Sequence, residues 1–209
     1  MFEGYVLAGG KSSRMQTDKT NLRLGGKTFV ERAAQTLQSI TVKVSVVVNE
    51  SQNNSLNLPR VVDVFPERGA LGGIHAALSQ SQSEWTIILA CDYPFVTNEL
   101  LKRLAGICLY ETEASAIAPI QSDGRVQPLC AFYQVAPCLK AVNKLLAESG
   151  KTPPARRLLD SVKTRTVDFA KISDLPCAEF FFENVNTPAD FVRAEEIYQN
   201  FLSKRKFKA

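Results

Sequence analysis

A glycine-rich segment with cationic side chains follows the first apolar run of the chain. Residues 7–19 have the sequence L-A-G-G-K-S-S-R-M-Q-T-D-K. Gly9 and Gly10 have no Cβ, so their backbone N–H groups can approach a ligand and point at phosphate oxygens. Arg14 and Lys19 add positive charge where a polyphosphate would lie. The segment matches neither of the two common glycine-rich phosphate motifs, and Gly-Gly-Lys alone is more typical of a surface turn.

Polar side chains also lie at or near the ends of three later apolar runs, at Asn49, Asp63 and Asp92. Asp92 comes directly after a buried strand, where a carboxylate can face a ligand. Each residue also has a plain structural interpretation: Asn49 belongs to an asparagine-rich turn, Asp63 faces solvent on an edge strand, and Asp92 stabilises the turn before a proline. No single one of these residues decides between the two interpretations.

The alternation of short apolar runs with helix-period stretches predicts the elements that must position these residues. It is typical of a sheet whose parallel strands are joined by crossover helices. The sequence therefore predicts an α/β fold, a single Rossmann-like domain with a mostly parallel central sheet flanked by helices. Ligands bind such sheets beyond the carboxyl ends of the strands, where residues 7–19 would lie. The predicted strands are 5–8, 42–48, 61–64, 85–90, 114–119, 129–133 and 180–185, and the predicted helices are 28–37, 71–78, 100–109, 136–146 and 189–202.

The composition bounds the class of protein. The 209 residues are 45% hydrophobic and 22% charged, which is ordinary for a globular protein. We expect one domain over residues 1–203 and a basic tail over residues 204–209. A net charge of +4 is too small for a nucleic-acid partner. No run reaches the roughly 18 apolar residues of a spanning helix, and no secretion signal precedes Glu3, so we expect a cytoplasmic protein without a membrane partner.

The cysteines and the single histidine indicate neither a disulfide framework nor a zinc site. The cysteines are odd in number and widely spread, with no C-x-x-C pair. We therefore expect reduced core cysteines, and His75 as a partly buried helix residue. The cysteines are Cys91, Cys108, Cys130, Cys138 and Cys177.

The full run L-A-G-G-x-S-x-R-M-x-x-D-K resembles the signature loop of the molybdenum cofactor guanylyltransferase (MobA) family, within the MobA-like nucleotidyltransferase superfamily. Further segments match family motifs in the same order across essentially the whole chain. They are V-V-V-N at 46–49, V-D at 62–63, G-A-L-G-G at 69–73, A-C-D-Y-P-F at 90–95, Q-P-L with F-Y at 127–133, and N-V-N-T-P-A-D at 184–190.

The resemblance implies a fold of the nucleotide-diphospho-sugar transferase type and a reaction. A molybdopterin phosphate would take GMP from GTP and release pyrophosphate. Asp92 would hold the Mg²⁺ cofactor, and Arg14 and Lys19 would neutralise the pyrophosphate. The resemblance further implies transient contact with a protein that delivers the cofactor or receives it.

The same resemblance implies the binding residues. Asn184 and Asn186 would face the pterin side, together with residues 127–128. Arg156 and Arg157 are weaker candidates for the pterin phosphate. The residues implied to bind the nucleotide are Leu7, Ala8, Gly9, Gly10, Lys19, Asn49, Asp63 and Gly73.

Several alternatives stay open. Residues 69–73 and the asparagines of 184–186 follow the pattern of the guanylyl branch, which transfers GMP. The nearest alternative is the cytidylyl branch, which transfers CMP. A related nucleotidyltransferase could use another phosphorylated acceptor. Gln16 and Ala70 depart from the family's glycine and proline. If that glycine needs a positive φ, Gln16 adds roughly 1 kcal/mol of strain, which motivates the alternative of a GTP-binding homologue without turnover.

Overall fold

The structure is a computed structural model that describes residues 1–8, 22–50, 57–148 and 152–206. Its centre is a seven-stranded sheet with the order β5-β4-β1-β6-β8-β7-β9, and β2 and β3 form a separate two-stranded ribbon. The strands are β1 (Phe2–Leu7), β2 (Arg23–Leu24), β3 (Lys27–Thr28), β4 (Lys43–Val48), β5 (Arg60–Val62), β6 (Trp85–Ala90), β7 (Ala116–Pro119), β8 (Cys130–Gln134) and β9 (Thr164–Val167).

Six α-helices within the described ranges cover the two faces of the sheet. Helix α1 begins in a capping box, in which the Thr28 hydroxyl accepts the Glu31 N–H and the Glu31 carboxylate accepts the Thr28 N–H. Thr187 and Asp190 cap α6 in the same reciprocal way. The helices are α1 (Phe29–Gln38), α2 (Gly69–Gln80), α3 (Asn98–Tyr110), α4 (Val135–Ala147), α5 (Arg156–Ser161) and α6 (Pro188–Lys206).

The core lies on both faces of the sheet because the central strands are buried on both sides. In β1, Val6 packs towards α1, α3 and α6, while its neighbours Tyr5 and Leu7 pack towards α2, α4 and α5. Alternate residues of a strand point to opposite faces, so an almost continuously apolar strand needs helices on each. The predicted α/β architecture is confirmed. Four cysteines are buried, Cys177 is half-buried, and all five are free thiols.

Strand β8 runs opposite to its neighbours. It pairs antiparallel with both β6 and β7, whereas β1, β4, β5 and β6 are mutually parallel and β7 pairs parallel with β9. The start of an antiparallel strand lies at the carboxyl ends of its parallel neighbours. The Ala90 N–H donates to the Leu129 carbonyl at 2.8 Å. The segment before β8 therefore reaches the edge where β1 and β6 end.

The predicted strand at 180–185 is wrong. Ala178–Phe180 forms a 3-10 helix, and the chain to 187 has no regular structure. A strand would place adjacent aromatic side chains on opposite faces, but Phe181 and Phe182 are both buried in the same core cluster. The structure also adds the β2–β3 ribbon, α5 and β9, which the sequence analysis did not predict. Helix α6 runs through Lys206, so the predicted tail starts within that helix.

No helix among the described residues is long and apolar enough to cross a membrane.

The ribbon turn offers a test of the packing against α6. Gly25 and Gly26 both have positive φ, +60° and +81°, but a Cβ on Gly25 would lie 2.2 Å from the Tyr198 ring, and one on Gly26 would meet nothing within 4 Å. We expect Gly26→Ala to lower the free energy of unfolding by about 1 kcal/mol through backbone strain alone. Gly25→Ala should lose about 1–3 kcal/mol more, because Tyr198 is displaced.

Urea unfolding measures both losses, and Tyr198→Ala supplies the control. In that background the difference between the two glycine variants should vanish, since the clashing ring is gone. Equal losses for the two variants in the wild-type background would contradict the described packing of the ribbon on α6.

Candidate functional site

The candidate site is the edge of the sheet where β1, β4, β5 and β6 end. Backbone hydrogen bonds tie these ends together: the Ala8 N–H donates to the Val47 carbonyl at 3.0 Å, and the Cys91 N–H donates to the Leu7 carbonyl at 3.1 Å. The residue that follows each strand is thereby fixed relative to its neighbours. Asn49, half-buried, lies directly after β4 on this edge.

Asp63 follows the edge strand β5 and is buried, with 7% of its surface exposed. The interpretation of Asp63 as a solvent-facing residue is therefore wrong. Its Oδ1 accepts the Phe65 N–H at 2.8 Å, which fixes the carboxylate in a turn. A Cβ on Gly72 would lie 2.7 Å from that Oδ1 and 2.3 Å from the Phe65 carbonyl oxygen, so the start of α2 packs directly on this turn.

Gly73 and Leu7 form the contact between α2 and the end of β1. A Cβ on Gly73 would lie 3.4 Å from Leu7 Cδ2, and both residues are buried. His75 lies two residues further along α2, half-buried as expected, with its ring edge-on to Phe65 at a centroid distance of 5.0 Å. Burial lowers the pKa of His75. Helix α2 therefore packs against the turn that contains Asp63.

Asp92 lies half-buried just beyond β6, in the turn where the Tyr93 N–H donates to the Ala90 carbonyl. Its backbone carbonyl accepts the Val185 N–H at 3.0 Å. This bond brings Asn184 and Asn186, the residues on either side of Val185, to the same edge of the sheet. Residues 92 and 184–186, which are far apart in the sequence, therefore lie together.

Comparisons with known proteins address the kind of site this is. Residues 4–166 match the sequence model of the MobA-like NTP transferase domain. The chain belongs to the MobA-like NTP transferase family. The matched range includes the ends of β1, β4, β5 and β6, so the candidate site lies inside the MobA-like domain.

Individual relatives match almost the whole chain. A probable molybdenum cofactor guanylyltransferase of Carboxydothermus hydrogenoformans is 32% identical over 92% of this chain and 94% of that protein. Another, of Pelotomaculum thermopropionicum, is 31% identical over 97% and 96%. The crystal structure of molybdopterin-guanine dinucleotide biosynthesis protein A from Archaeoglobus fulgidus matches with a TM-score of 0.78 at 25% identity, covering 95% of this chain and 99% of that one. These matches confirm the resemblance and the fold type, and the MobA-like chain is a nucleotidyltransferase.

The MobA-like signature loop falls outside the described residues. Gly9, Gly10, Arg14 and Lys19 belong to residues 9–21, and their predicted roles stay predictions. Gln16 lies in the same segment, so the strain expected there is also untested. The structure does place the start of that loop, because Ala8 is held at the site edge by Val47.

The described donor groups of this MobA-like site are compatible with Mg²⁺. The described residues contain no group of three or more His, Cys, Asp or Glu side chains that could enclose a metal. Mg²⁺ is commonly held by one or two carboxylates together with substrate phosphates and water. The half-buried Asp92 carboxylate at the sheet edge is a group of the type that such a site uses.

Sequence reasoning missed Tyr93 as a residue of this MobA-like site. Its hydroxyl donates to Gln127 Oε1 at 3.0 Å, and both residues are buried. A second hydrogen bond holds the Q-P-L segment at 127–129: the Tyr133 hydroxyl donates to the Pro128 carbonyl at 2.7 Å. The signal was present in the sequence, since a tyrosine directly after Asp92 must find a partner for its hydroxyl if it is buried.

The Asp63 carboxyl provides a test of stability against pH. Burial raises its pKa above the ordinary value, opposed by the Phe65 N–H and by His75. Below the ordinary pKa this carboxyl is protonated in both the folded and the unfolded chain, so folding buries no charge. As pH rises through the raised pKa the folded state acquires a buried charge, and stability is lost.

We therefore expect Asp63→Asn to raise the free energy of unfolding more at about pH 7.5 than at about pH 3.5. Asparagine keeps an Oδ1 acceptor for the Phe65 N–H and carries no charge. Urea unfolding at the two pH values measures the gain. An equal change at both would contradict a raised pKa at Asp63.

Proposed function

We propose that this protein transfers the GMP moiety of GTP to the phosphate of molybdopterin, forming molybdopterin guanine dinucleotide and pyrophosphate. The observation that carries the proposal is the match, over more than nine tenths of this chain, to proteins named as molybdenum cofactor guanylyltransferases. The position of Asp63 and Asp92 at one sheet edge supports it, because a nucleotide and a metal ion need polar groups at this place.

The proposed chemistry is a single displacement at phosphorus. An oxygen of the molybdopterin phosphate forms a bond to the α-phosphorus of GTP, and the bond from that phosphorus to the oxygen bridging to the β-phosphate breaks. Pyrophosphate leaves with the bonding electron pair. Such transfers depend on positioning and charge stabilisation, so the protein needs no covalent nucleophile.

Asp63 and Asn49 are proposed to bind guanosine. Guanine presents an N1–H and an exocyclic amine as donors, which a carboxylate can accept. Asp63 is suited to this role because its carboxylate is buried and held by the Phe65 N–H. The backbone groups of Leu7, Ala8, Gly9 and Gly10 would complete the base and sugar side.

Arg14, Lys19 and Asp92 are proposed to act on the phosphates. The two cations would neutralise the charge that develops on pyrophosphate. Asp92 would hold Mg²⁺, which when bound neutralises charge at the α-phosphate. The proposed pterin side comprises Asn184 and Asn186, which the Val185 contact brings beside Asp92.

Pyrophosphate release tests the proposal. The purified chain is incubated with Mg²⁺, molybdopterin and GTP, and parallel reactions replace GTP by CTP or molybdopterin by a sugar or alditol phosphate. Pyrophosphate and the dinucleotide are expected with GTP and molybdopterin. Turnover with CTP alone would support the cytidylyl branch, and turnover with a sugar phosphate alone would support another acceptor. GTP binding without pyrophosphate release would support the homologue without turnover.

A further inference from the structure

A chain of hydrogen bonds begins beside Asp92 and runs from the buried Tyr93 to the exposed Asp123. The Tyr93 hydroxyl donates to Gln127 Oε1 at 3.0 Å, and Gln127 Nε2 donates to Gln121 Oε1 at 2.6 Å. Gln121 Nε2 in turn donates to Asp123 Oδ2 at 3.3 Å. The chain therefore joins the turn after β6 to the connection between β7 and β8.

An ion pair at the far end sets the direction of the whole chain. Asp123 accepts Arg125 Nε at 2.7 Å, and the Arg125 contacts hold the pKa of the Asp123 carboxyl below its usual value. An ionised carboxylate can only accept, so Gln121 must present its Nε2 to Asp123 and its Oε1 to Gln127. Gln127 must then present Nε2 to Gln121, which leaves its Oε1 for the Tyr93 hydroxyl.

The Tyr93 end of the chain is rigid. Tyr93 and Gln127 are 9% and 7% exposed, and the Gln127 N–H also donates to the Pro119 carbonyl. On the opposite side the Tyr93 ring packs edge-on against Phe182, at a centroid distance of 6.0 Å. Hydrogen bonds aligned in one direction in a buried site strengthen each other.

Two segments of the proposed acceptor side are thereby attached to the Asp92 turn. Residues 120–128 are held through the side chain of Tyr93, and residues 184–186 are held through the backbone carbonyl of Asp92. Neither attachment uses the carboxylate of Asp92, the proposed metal ligand.

We infer that Tyr93 is a positioning residue: its hydroxyl, oriented through Gln127, fixes the Asp92 turn relative to the acceptor side. The inference rests on the proposed function, and it adds a second role to the D-x-P-F segment. Transfer needs the acceptor oxygen, the α-phosphorus and the metal ligand in one arrangement, and a displacement of about 1 Å can lower the rate by about 10²-fold.

Tyr93→Phe removes only the hydroxyl, and Tyr5→Phe is the matched control. Tyr5 is also buried, and its hydroxyl donates to Glu3 Oε2 at 2.8 Å, away from Asp92. Tyr5→Phe should lose at least as much stability in thermal melts as Tyr93→Phe, because the Tyr5 hydroxyl bonds to a carboxylate. We expect only Tyr93→Phe to lower kcat, by about tenfold, with little change in the KM for GTP.

A binding measurement separates this inference from the proposed function. Titration calorimetry with a non-hydrolysable GTP analogue gives the Mg²⁺ concentration at half-maximal binding. We expect Tyr93→Phe to raise that midpoint several-fold and Tyr5→Phe to leave it unchanged. Equal midpoints and equal kcat values in wild type and Tyr93→Phe would overturn the role of Tyr93. Absence of pyrophosphate release by the wild type would instead overturn the proposed function, and the binding midpoints would still decide on Tyr93.

Discussion

Asp92→Ala is expected to fold like the wild type and to lose about 10²-fold or more of its transfer rate. The fold should survive because the Asp92 contact with Val185 uses the backbone carbonyl, which alanine keeps. The rate should fall because the carboxylate at the end of β6 is the proposed Mg²⁺ ligand. Pyrophosphate release over a range of Mg²⁺ concentrations, together with thermal melts, gives both quantities.

Glu196→Ala is the control for this prediction. Glu196 is an exposed carboxylate on α6. Its removal changes the net charge by the same amount without touching the sheet edge, so the transfer rate should stay near that of the wild type. Near-normal turnover of Asp92→Ala at saturating Mg²⁺ would remove the metal assignment from Asp92.

GTP is expected to be preferred over CTP and ATP by about 10²-fold or more in kcat/KM, a difference of roughly 2.7 kcal/mol. Asp63 is the proposed acceptor for the donors of guanine, and its carboxylate is buried. A buried acceptor left without its donor carries a large penalty, so the site should discriminate strongly against the wrong base. Competition between the nucleotides under matched Mg²⁺ and pterin measures the ratio.

Asp63→Asn tests the source of that preference. The variant should lose much of the discrimination between bases, because the buried charge of Asp63 is the proposed source of it. It should also gain stability at neutral pH, because the same buried charge destabilises the folded state. Comparable rates of the wild-type protein with CTP and GTP would contradict the guanylyl assignment. The family, the fold and the role of Asp92 would be unaffected by that result.

The sequence predicted the elements whose signals are local. The run at 85–90 became β6 with the same bounds, because six consecutive residues suit a strand that is buried on both faces. The helix-period stretch at 189–202 likewise became part of α6, which begins at Pro188. The strand ends that carry Asn49, Asp63 and Asp92 lie together because the parallel pattern was correct.

Elements that depend on distant partners were not predictable in the same way. The two-residue strands β2 and β3 are too short to show the alternation of apolar and polar residues that marks a strand. Strand β9 forms because it pairs parallel with β7, which is distant in the sequence. The aromatic run at 180–182 suggested a strand, but its side chains pack against residues such as Tyr93 and Phe201. The role of Tyr93 could not be predicted because it depends on a hydrogen bond to Gln127, which is 34 positions away.

The place of β8 in the sheet has a consequence for synthesis on the ribosome. β1, β4, β5 and β6 are complete once residue 90 has emerged, but the outer edge of β6 has no partner until β8 follows. At about 5–20 residues per second, the chain from 91 to 129 takes about 2–8 s to make. For that time the nascent protein presents the apolar edge of residues 85–90, which is a template for intermolecular pairing. Slow translation through this stretch should therefore increase the need for chaperones.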